Sequence, residues 1–148
     1  MKILARQLTL DLYNCVPKKL AHIDEIKKIL QDAVGEEPKL SAEKLTENHC
    51  SIIGAFNDGH VALHVYEDLR YVAADIFTCS VNVEPEEIAG TLRKYFQPDK
   101  MKSTFLKRGD FGKSEDIKPK IKTHFAALRQ VRNAGAKVVK KLVRGDNR

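Results

Sequence analysis

The sequence predicts an α+β fold, a two-layer sandwich in which a mainly antiparallel sheet carries helices on one face. Several short segments alternate apolar and polar residues, which is typical of half-buried strands. Two other segments repeat apolar residues at helical spacing, and turn signals between neighbouring strands favour hairpins. With 148 residues, the chain is long enough for a domain with a substantial core.

The elements follow one another along the first 108 residues. Leu8, Leu10 and Leu12 alternate with polar residues in the first strand. A helix begins at Pro17 and ends at Gly35, and a second has Pro85 in its first turn. The predicted strands are 4–14, 38–47, 50–57, 60–66, 71–79 and 101–107, and the helices are 17–34 and 85–96.

A hairpin turn is predicted at Asn57-Asp58-Gly59, between the third and fourth strands. Glycine tolerates positive φ, so one reading of Gly59 is simply that of a good turn residue.

The C-terminal part differs from the rest in charge. Residues 117–148 contain ten Lys or Arg and one acidic residue, whereas residues 1–116 carry a net charge of −3. Apolar residues from Ile117 to Leu142 form a stripe typical of a long amphipathic helix. We therefore expect one domain over residues 1–112 and a basic helical extension over 113–148. This extension packs on its own acidic domain or on a partner chain, binds a polyanion, or lies on a membrane surface. Its candidate polyanion-binding residues are Lys118, Lys122, Arg129, Arg132, Lys137, Lys140 and Lys141.

The composition does not indicate a disulfide-stabilised, metal-binding, membrane-spanning or secreted protein. Three widely spaced cysteines do not indicate a disulfide framework, and the five scattered histidines predict no metal site. No apolar run approaches the length of a membrane span, and the N-terminus lacks the features of a signal peptide. A cytoplasmic protein is expected.

Residues 58–79 contain Asp58-Gly59-His60, then His64, and close with Asp-Ile-Phe-Thr-Cys at 75–79. This segment resembles the core of the small prokaryotic S-adenosylmethionine decarboxylases. That family has a Glu-Ser-His triplet, a second histidine four residues after the one in the triplet, and a closing Asp-x-Phe-Thr-Cys. Gly59 thus stands at the serine of the triplet. The first strand also resembles the family's opening strand, so the resemblance covers roughly residues 5–108 and implies the same α+β fold.

Gly59 falls at the serine from which family members make a pyruvoyl cofactor. The serine oxygen attacks the preceding carbonyl, and elimination from the resulting ester cleaves the chain. Glycine has no β-carbon to carry that oxygen. We therefore expect no self-cleavage between Asp58 and Gly59 and no pyruvoyl cofactor.

The resemblance implies catalytic roles for Cys79, His64 and Ser51, which are alternatively packed remnants. Asp11, Glu67 and Asp68 are candidates for binding a cationic amine or sulfonium, although carboxylates at such positions are commonly just solvated. Leu45 stands where the family has an aromatic residue that stacks on adenine, so the nucleoside pocket also departs from the family pattern.

The function expected from this resemblance is that of a decarboxylase-like protein in the context of spermidine synthesis. It would be a pseudoenzyme, a regulatory subunit or a ligand-binding homologue that forms a homodimer or pairs with an active relative. One alternative is an active decarboxylase, or another enzyme acting on S-adenosylmethionine or an amino acid through Cys79 and His64. A glycine introduced in place of a native serine would also imply an ordinary decarboxylase. A further alternative is a nucleic-acid-associated protein that acts through the basic C-terminal segment.

Overall fold

The computed structural model describes residues 5–35, 37–109 and 121–127. Seven strands and three helices follow one another within these ranges. The strands are β1 (Ala5–Tyr13), β2 (Lys39–Thr46), β3 (His49–Phe56), β4 (Gly59–Tyr66), β5 (Tyr71–Thr78), β6 (Lys100–Arg108) and β7 (Ile121–Ala127). The helices are α1 (Pro17–Leu20), α2 (Ile23–Val34) and α3 (Pro85–Phe96).

All seven strands belong to one antiparallel sheet, in the order β2-β3-β4-β5-β1-β6-β7. Strands β2 to β5 are consecutive neighbours because short turns connect them, as the sequence predicts. The N-terminal strand β1 lies between β5 and β6, so its pairing partners are far away in the chain. This order confirms the predicted α+β class.

The helices cover one face of the sheet, and the core lies between the two layers. Side chains alternate along a strand, so Leu8, Leu10 and Leu12 of β1 all point into this core. Ile26 and Leu30 of α2 recur at helical spacing and are fully buried against the sheet. The opposite face of the sheet, here called the open face, carries the odd-numbered residues of β1, β3 and β5 and the even-numbered residues of β4.

Both predicted helices are present, with one difference in the first. It divides into α1 and α2 at residues 21–22, and α2 ends at Gly35, whose φ of 70° is the left-handed conformation that glycine favours. The second helix has Pro85 in its first turn, as predicted. Among the described residues, no helix is long and apolar enough to cross a membrane.

The prediction of a helix from residue 117 onwards is wrong for residues 121–127, which form strand β7. This segment includes Thr123 and Phe125, which favour strands, and its backbone pairs with the otherwise unpaired side of β6. Tertiary pairing therefore overrides the helical spacing of Ile121 and Phe125. The remainder of the predicted helix lies outside the described residues. The division of the chain after residue 112 stays a prediction.

Candidate functional site

Gly59 is the first residue of β4 and pairs with Phe56 across the hairpin, leaving Asn57 and Asp58 as the two-residue turn. Gly59 is not among the residues with positive φ, nor are the two turn residues. The reading of Gly59 as a glycine that supplies positive φ to the turn is therefore wrong. Another property of glycine explains its presence here.

That property is the absence of a β-carbon. A Cβ at residue 59 would lie 2.0 Å from the carbonyl oxygen of Phe77, and 2.8 and 2.9 Å from two ring carbons of Phe56. The first contact is with the backbone of β5, which a side-chain rotation does not relieve. As the structure stands, β4 and β5 approach each other at a distance that only glycine allows.

Cys79 lies next to this turn, immediately after β5. Its backbone N–H donates a hydrogen bond to the carbonyl of Asp58 at 2.8 Å. Arg6 holds the loop that follows, because its guanidinium donates hydrogen bonds to the carbonyls of Ser80 (2.6 Å) and Val83 (3.0 Å). The same guanidinium forms an ion pair with Glu84. The position of Cys79 is thus fixed from the turn on one side and from β1 on the other.

His64 and Ser51 lie directly opposite each other on β4 and β3, on the open face. His64 lies five residue steps along extended β4 from Gly59, which corresponds to about 17 Å. The structure therefore brings His64 together with Ser51 and Cys79 together with Gly59. It does not bring the two pairs together within one chain.

A histidine that sequence reasoning missed lies beside His64. Nε2 of His49 is 2.9 Å from Nδ1 of His64, so one imidazole donates a hydrogen bond to the other. The ring of His49 also stacks on Tyr66, with centroids 4.2 Å apart. His49 thus contacts His64 directly, one of the residues to which the resemblance assigns a catalytic role.

The stack continues across the open face as a row of rings, here called the aromatic row: His49, Tyr66, Tyr71 and Tyr13. Tyr66 and Tyr71 are 5.9 Å apart, and Tyr71 and Tyr13 are 5.4 Å apart. Cross-strand pairing places the four rings on adjacent strands, a signal that appears in the sequence only once the register is known.

Asp11 lies beside this row and accepts a hydrogen bond from the hydroxyl of Tyr71. Burial, and then this hydrogen bond, raise the pKa of Tyr71. Burial and the charge of Asp11 also raise the pKa of Tyr13. Asp11 is therefore a carboxylate beside two phenol rings, with Lys102 opposite it on β6. Ring faces and a carboxylate both attract an organic cation.

The other predicted ligand carboxylates lie in the β4–β5 turn, at the end of the sheet remote from Gly59. The backbone N–H of Glu67 bonds to the carbonyl of Asn48, and the carboxylate of exposed Asp68 accepts from the N–H of Leu69. Leu45, at the family's aromatic position, is 55% exposed.

Of the predicted polyanion-binding residues, Lys122 lies exposed on β7, and the other six are outside the described residues. The structure describes no group of three or more metal-ligating side chains within its ranges.

A second polar cluster occupies the open face beside Gly59. Nε2 of His60 is 4.0 Å from a carboxylate oxygen of Asp75, whose other oxygen accepts a hydrogen bond from Gln7 at 2.8 Å. Arg108 donates to the side-chain oxygen of Gln7 at 2.9 Å, and its guanidinium lies 5.3 Å from the ring centre of Phe77. The sequence motif contains His60 and Asp75 but does not show that they meet.

Comparison with known proteins bears on this arrangement. The sequence model of a family described as S-adenosylmethionine decarboxylase matches residues 6–109. The chain belongs to the S-adenosylmethionine decarboxylase family. The matched segment runs from β1 to just after β6 and includes Gly59, His64 and Cys79.

The chain aligns with curated relatives over nearly the whole length of those proteins. An S-adenosylmethionine decarboxylase proenzyme of Methanococcus maripaludis (strain C5) is 28% identical over 113 residues, which are 74% of this chain and 93% of that protein. One of Clostridium kluyveri is 26% identical over 122 residues, covering 80% and 97%. The crystal structure of the Aquifex aeolicus adenosylmethionine decarboxylase has the same fold, with a TM-score of 0.65, 16% identity, and coverage of 80% of this chain and 100% of that one.

Proposed function

We propose that this chain is a member of the S-adenosylmethionine decarboxylase family that does not process itself, and that it acts in polyamine synthesis as a ligand-binding or regulatory subunit. The observation that carries the proposal is Gly59. The chemistry of pyruvoyl formation needs an oxygen or sulfur on the β-carbon of this residue, and glycine has no β-carbon. The residue present therefore does not fit the family's cofactor.

The surroundings of Gly59 support the same reading. Phe77 and Phe56 occupy the space that a side chain at this position would need. A serine restored at residue 59 would displace the β5 backbone before its hydroxyl reached the preceding carbonyl. The site is thus adapted to glycine over more than one residue.

An assembly of two chains is part of the proposal. Cys79 and Gly59 lie at one end of β4, whereas His64 and Ser51 lie about 17 Å away towards the other. Two copies whose open faces meet in opposite orientations would place the His64 of one near the Cys79 of the other. The partner is a second copy of this chain or an active relative with the same sheet.

The ligand of the proposal is S-adenosylmethionine or a polyamine, both of which are cations. The support is the aromatic row beside Asp11, since ring faces and a carboxylate both attract an organic cation. Tyr13, at the end of the row, is 37% exposed and therefore accessible to a ligand.

The experiment is an intact mass of the purified protein, followed in the same sample by calorimetric titration with S-adenosylmethionine and with spermidine. The expected result is one uncleaved mass near 16.7 kDa and binding that weakens in Asp11→Asn. Asp32→Asn, on α2 in the other layer, is the matched control and is expected to bind normally. Two fragments separated before residue 59 would overturn the proposal. An uncleaved chain that bound neither ligand nor an active relative would also contradict it.

A second candidate is an enzyme that uses Cys79 and His64 as acid and base without a pyruvoyl group. Retention of both residues in a family member that lacks the cofactor serine favours it. The test is product formation from S-adenosylmethionine by the parent and by the double variant Cys79→Ala/His64→Ala. Activity that persists in the double variant would exclude this candidate.

A further inference from the structure

Cys79 has a histidine much closer in its own chain than His64. His60 on β4 pairs directly with Phe77 on β5. Cys79 comes two residues later, one residue beyond the end of β5, and its backbone N–H bonds to the carbonyl of Asp58. Because Thr78 is buried and Cys79 is partly exposed, continued alternation of the strand places Cys79 on the same side as Phe77. Diagonal neighbours of this kind have Cα atoms about 7–8 Å apart, within reach of long side chains. The register therefore places His60 diagonally between Cys79 and Asp75.

The carboxylate of Asp75 is placed to orient this imidazole. Its Oδ2 is 4.0 Å from Nε2 of His60, while Gln7 fixes its Oδ1 by a hydrogen bond of 2.8 Å. Arg108 in turn fixes the other end of the Gln7 amide. At 4.0 Å the carboxylate does not hydrogen-bond to the imidazole and acts on it as a nearby negative charge. A base with such a third group beside it, next to a nucleophile, is the general arrangement of an activated nucleophile.

The charged groups around the thiol belong to several elements. Arg108 of β6 approaches from the open face, and Asp58 lies in the adjoining turn. Arg6 and Glu84 neutralise each other beneath the following loop. Cys79 itself is partly exposed. A partly exposed thiol near histidine and arginine is in the kind of environment in which cysteines react.

We propose that Cys79, His60 and Asp75 form a thiol–imidazole–carboxylate site in which Cys79 attacks an electrophilic carbon. His60 accepts the thiol proton, the sulfur forms a bond to the carbon, and the leaving group departs with the electron pair of the broken bond. Asp75 stabilises the imidazolium that results. The site needs neither a pyruvoyl group nor His64, so it extends beyond the proposed function and is tested independently of it.

The other two cysteines provide internal controls. Cys15 and Cys50 are buried in the core, and burial, followed by the nearby charge of Glu67, raises the pKa of the Cys50 thiol. Both are expected to react slowly in the folded protein. Fast labelling of Cys15 or Cys50 would reveal a variant that had not folded, so a change at Cys79 alone reports on the site.

The test is the rate of alkylation by iodoacetamide at each cysteine, measured by mass spectrometry of the full chain's peptides between about pH 6 and pH 9. An unassisted thiol is only a few per cent thiolate at pH 7, so a working base raises the rate by about tenfold. We expect His60→Gln to lower the rate at Cys79 about tenfold at pH 7 and Asp75→Asn to lower it several-fold. His22→Gln, a surface residue before α2, is the control and should leave it unchanged.

The pH profile separates proton acceptance from a structural role. The rate difference at Cys79 between the parent and His60→Gln should be largest at the lower end of this pH range and smallest at the upper end, because hydroxide in solution replaces the base as the pH rises. Equal rates at Cys79 in the parent and in His60→Gln would overturn the proposal. So would a loss of reactivity in His64→Gln that His60→Gln does not show, because that result would assign the base to His64.

Discussion

Replacing Gly59 by alanine adds a single methyl group at the point where β4 and β5 approach most closely. The new Cβ would start 2.0 Å from the carbonyl oxygen of Phe77. Ordinary carbon–oxygen contacts begin near 3.3 Å, so the two strands must separate by about 1.3 Å or the Phe56 ring and the local ladder must rearrange.

We expect this change to lower the free energy of unfolding by about 3 kcal/mol, the upper part of the range for overpacking, because the obstacle is backbone. That corresponds to a fall in Tm of roughly 12 °C for a domain of this size. Urea denaturation followed by circular dichroism measures the first quantity, and a thermal scan measures the second.

Gly90→Ala is the matched control, since a Cβ at Gly90 in α3 meets nothing within 4 Å. It should leave stability unchanged or raise it by up to about 1 kcal/mol, because alanine favours helix. A Gly59→Ala variant within about 0.5 kcal/mol of the parent would refute the reasoning. A Gly59→Ser variant that cut itself efficiently would refute it too, since we expect that variant to stay uncut.

Three further predictions concern other parts of the molecule. His49→Phe keeps a ring against Tyr66 but removes the hydrogen bond to His64, and should lower the free energy of unfolding in urea by about 1 kcal/mol. The raised pKa of Tyr71 implies a contribution to stability that is complete below about pH 10 and is lost as the pH rises further, so Tyr71→Phe should flatten the fall in stability measured between pH 9 and pH 11. Removing residues 128–148, which hold seven Lys or Arg and leave β7 intact, should abolish salt-dependent binding of a single-stranded oligonucleotide in a fluorescence-anisotropy titration; binding that survives the truncation would contradict a role for that segment.

Most of the fold was predictable because its strands and helices are locally consistent. Alternation in β1 and helical spacing in α2 each indicate the right element, and Pro85 and Gly35 mark helix ends by mechanisms that act within a few residues. The prediction of a helix over β7 was wrong because the spacing of Ile121 and Phe125 fits a helix as well as a strand. The unpaired side of β6 decides between them, and a sequence alone does not display it.

The candidate site was predictable in composition but not in arrangement. The motif identifies Gly59, His64 and Cys79, yet it does not reveal that strand length holds His64 far from the other two. The partnership of His49 with His64 depends on the β3–β4 register, in which a shift of one residue would send either ring to the other face. The sequence suggests that Gly59 is required by the turn conformation, whereas the structure shows that a β-carbon at this position would collide with the neighbouring strand β5.

The two strands that meet at the Asn57-Asp58 turn each have a second partner, since β3 pairs with β2 and β4 pairs with β5. A break in the backbone at this turn would therefore leave both strands hydrogen-bonded to their other neighbours in the sheet. Chain continuity and sheet integrity are therefore separable at this turn. The same sheet is thus compatible with one intact polypeptide and with two associated fragments.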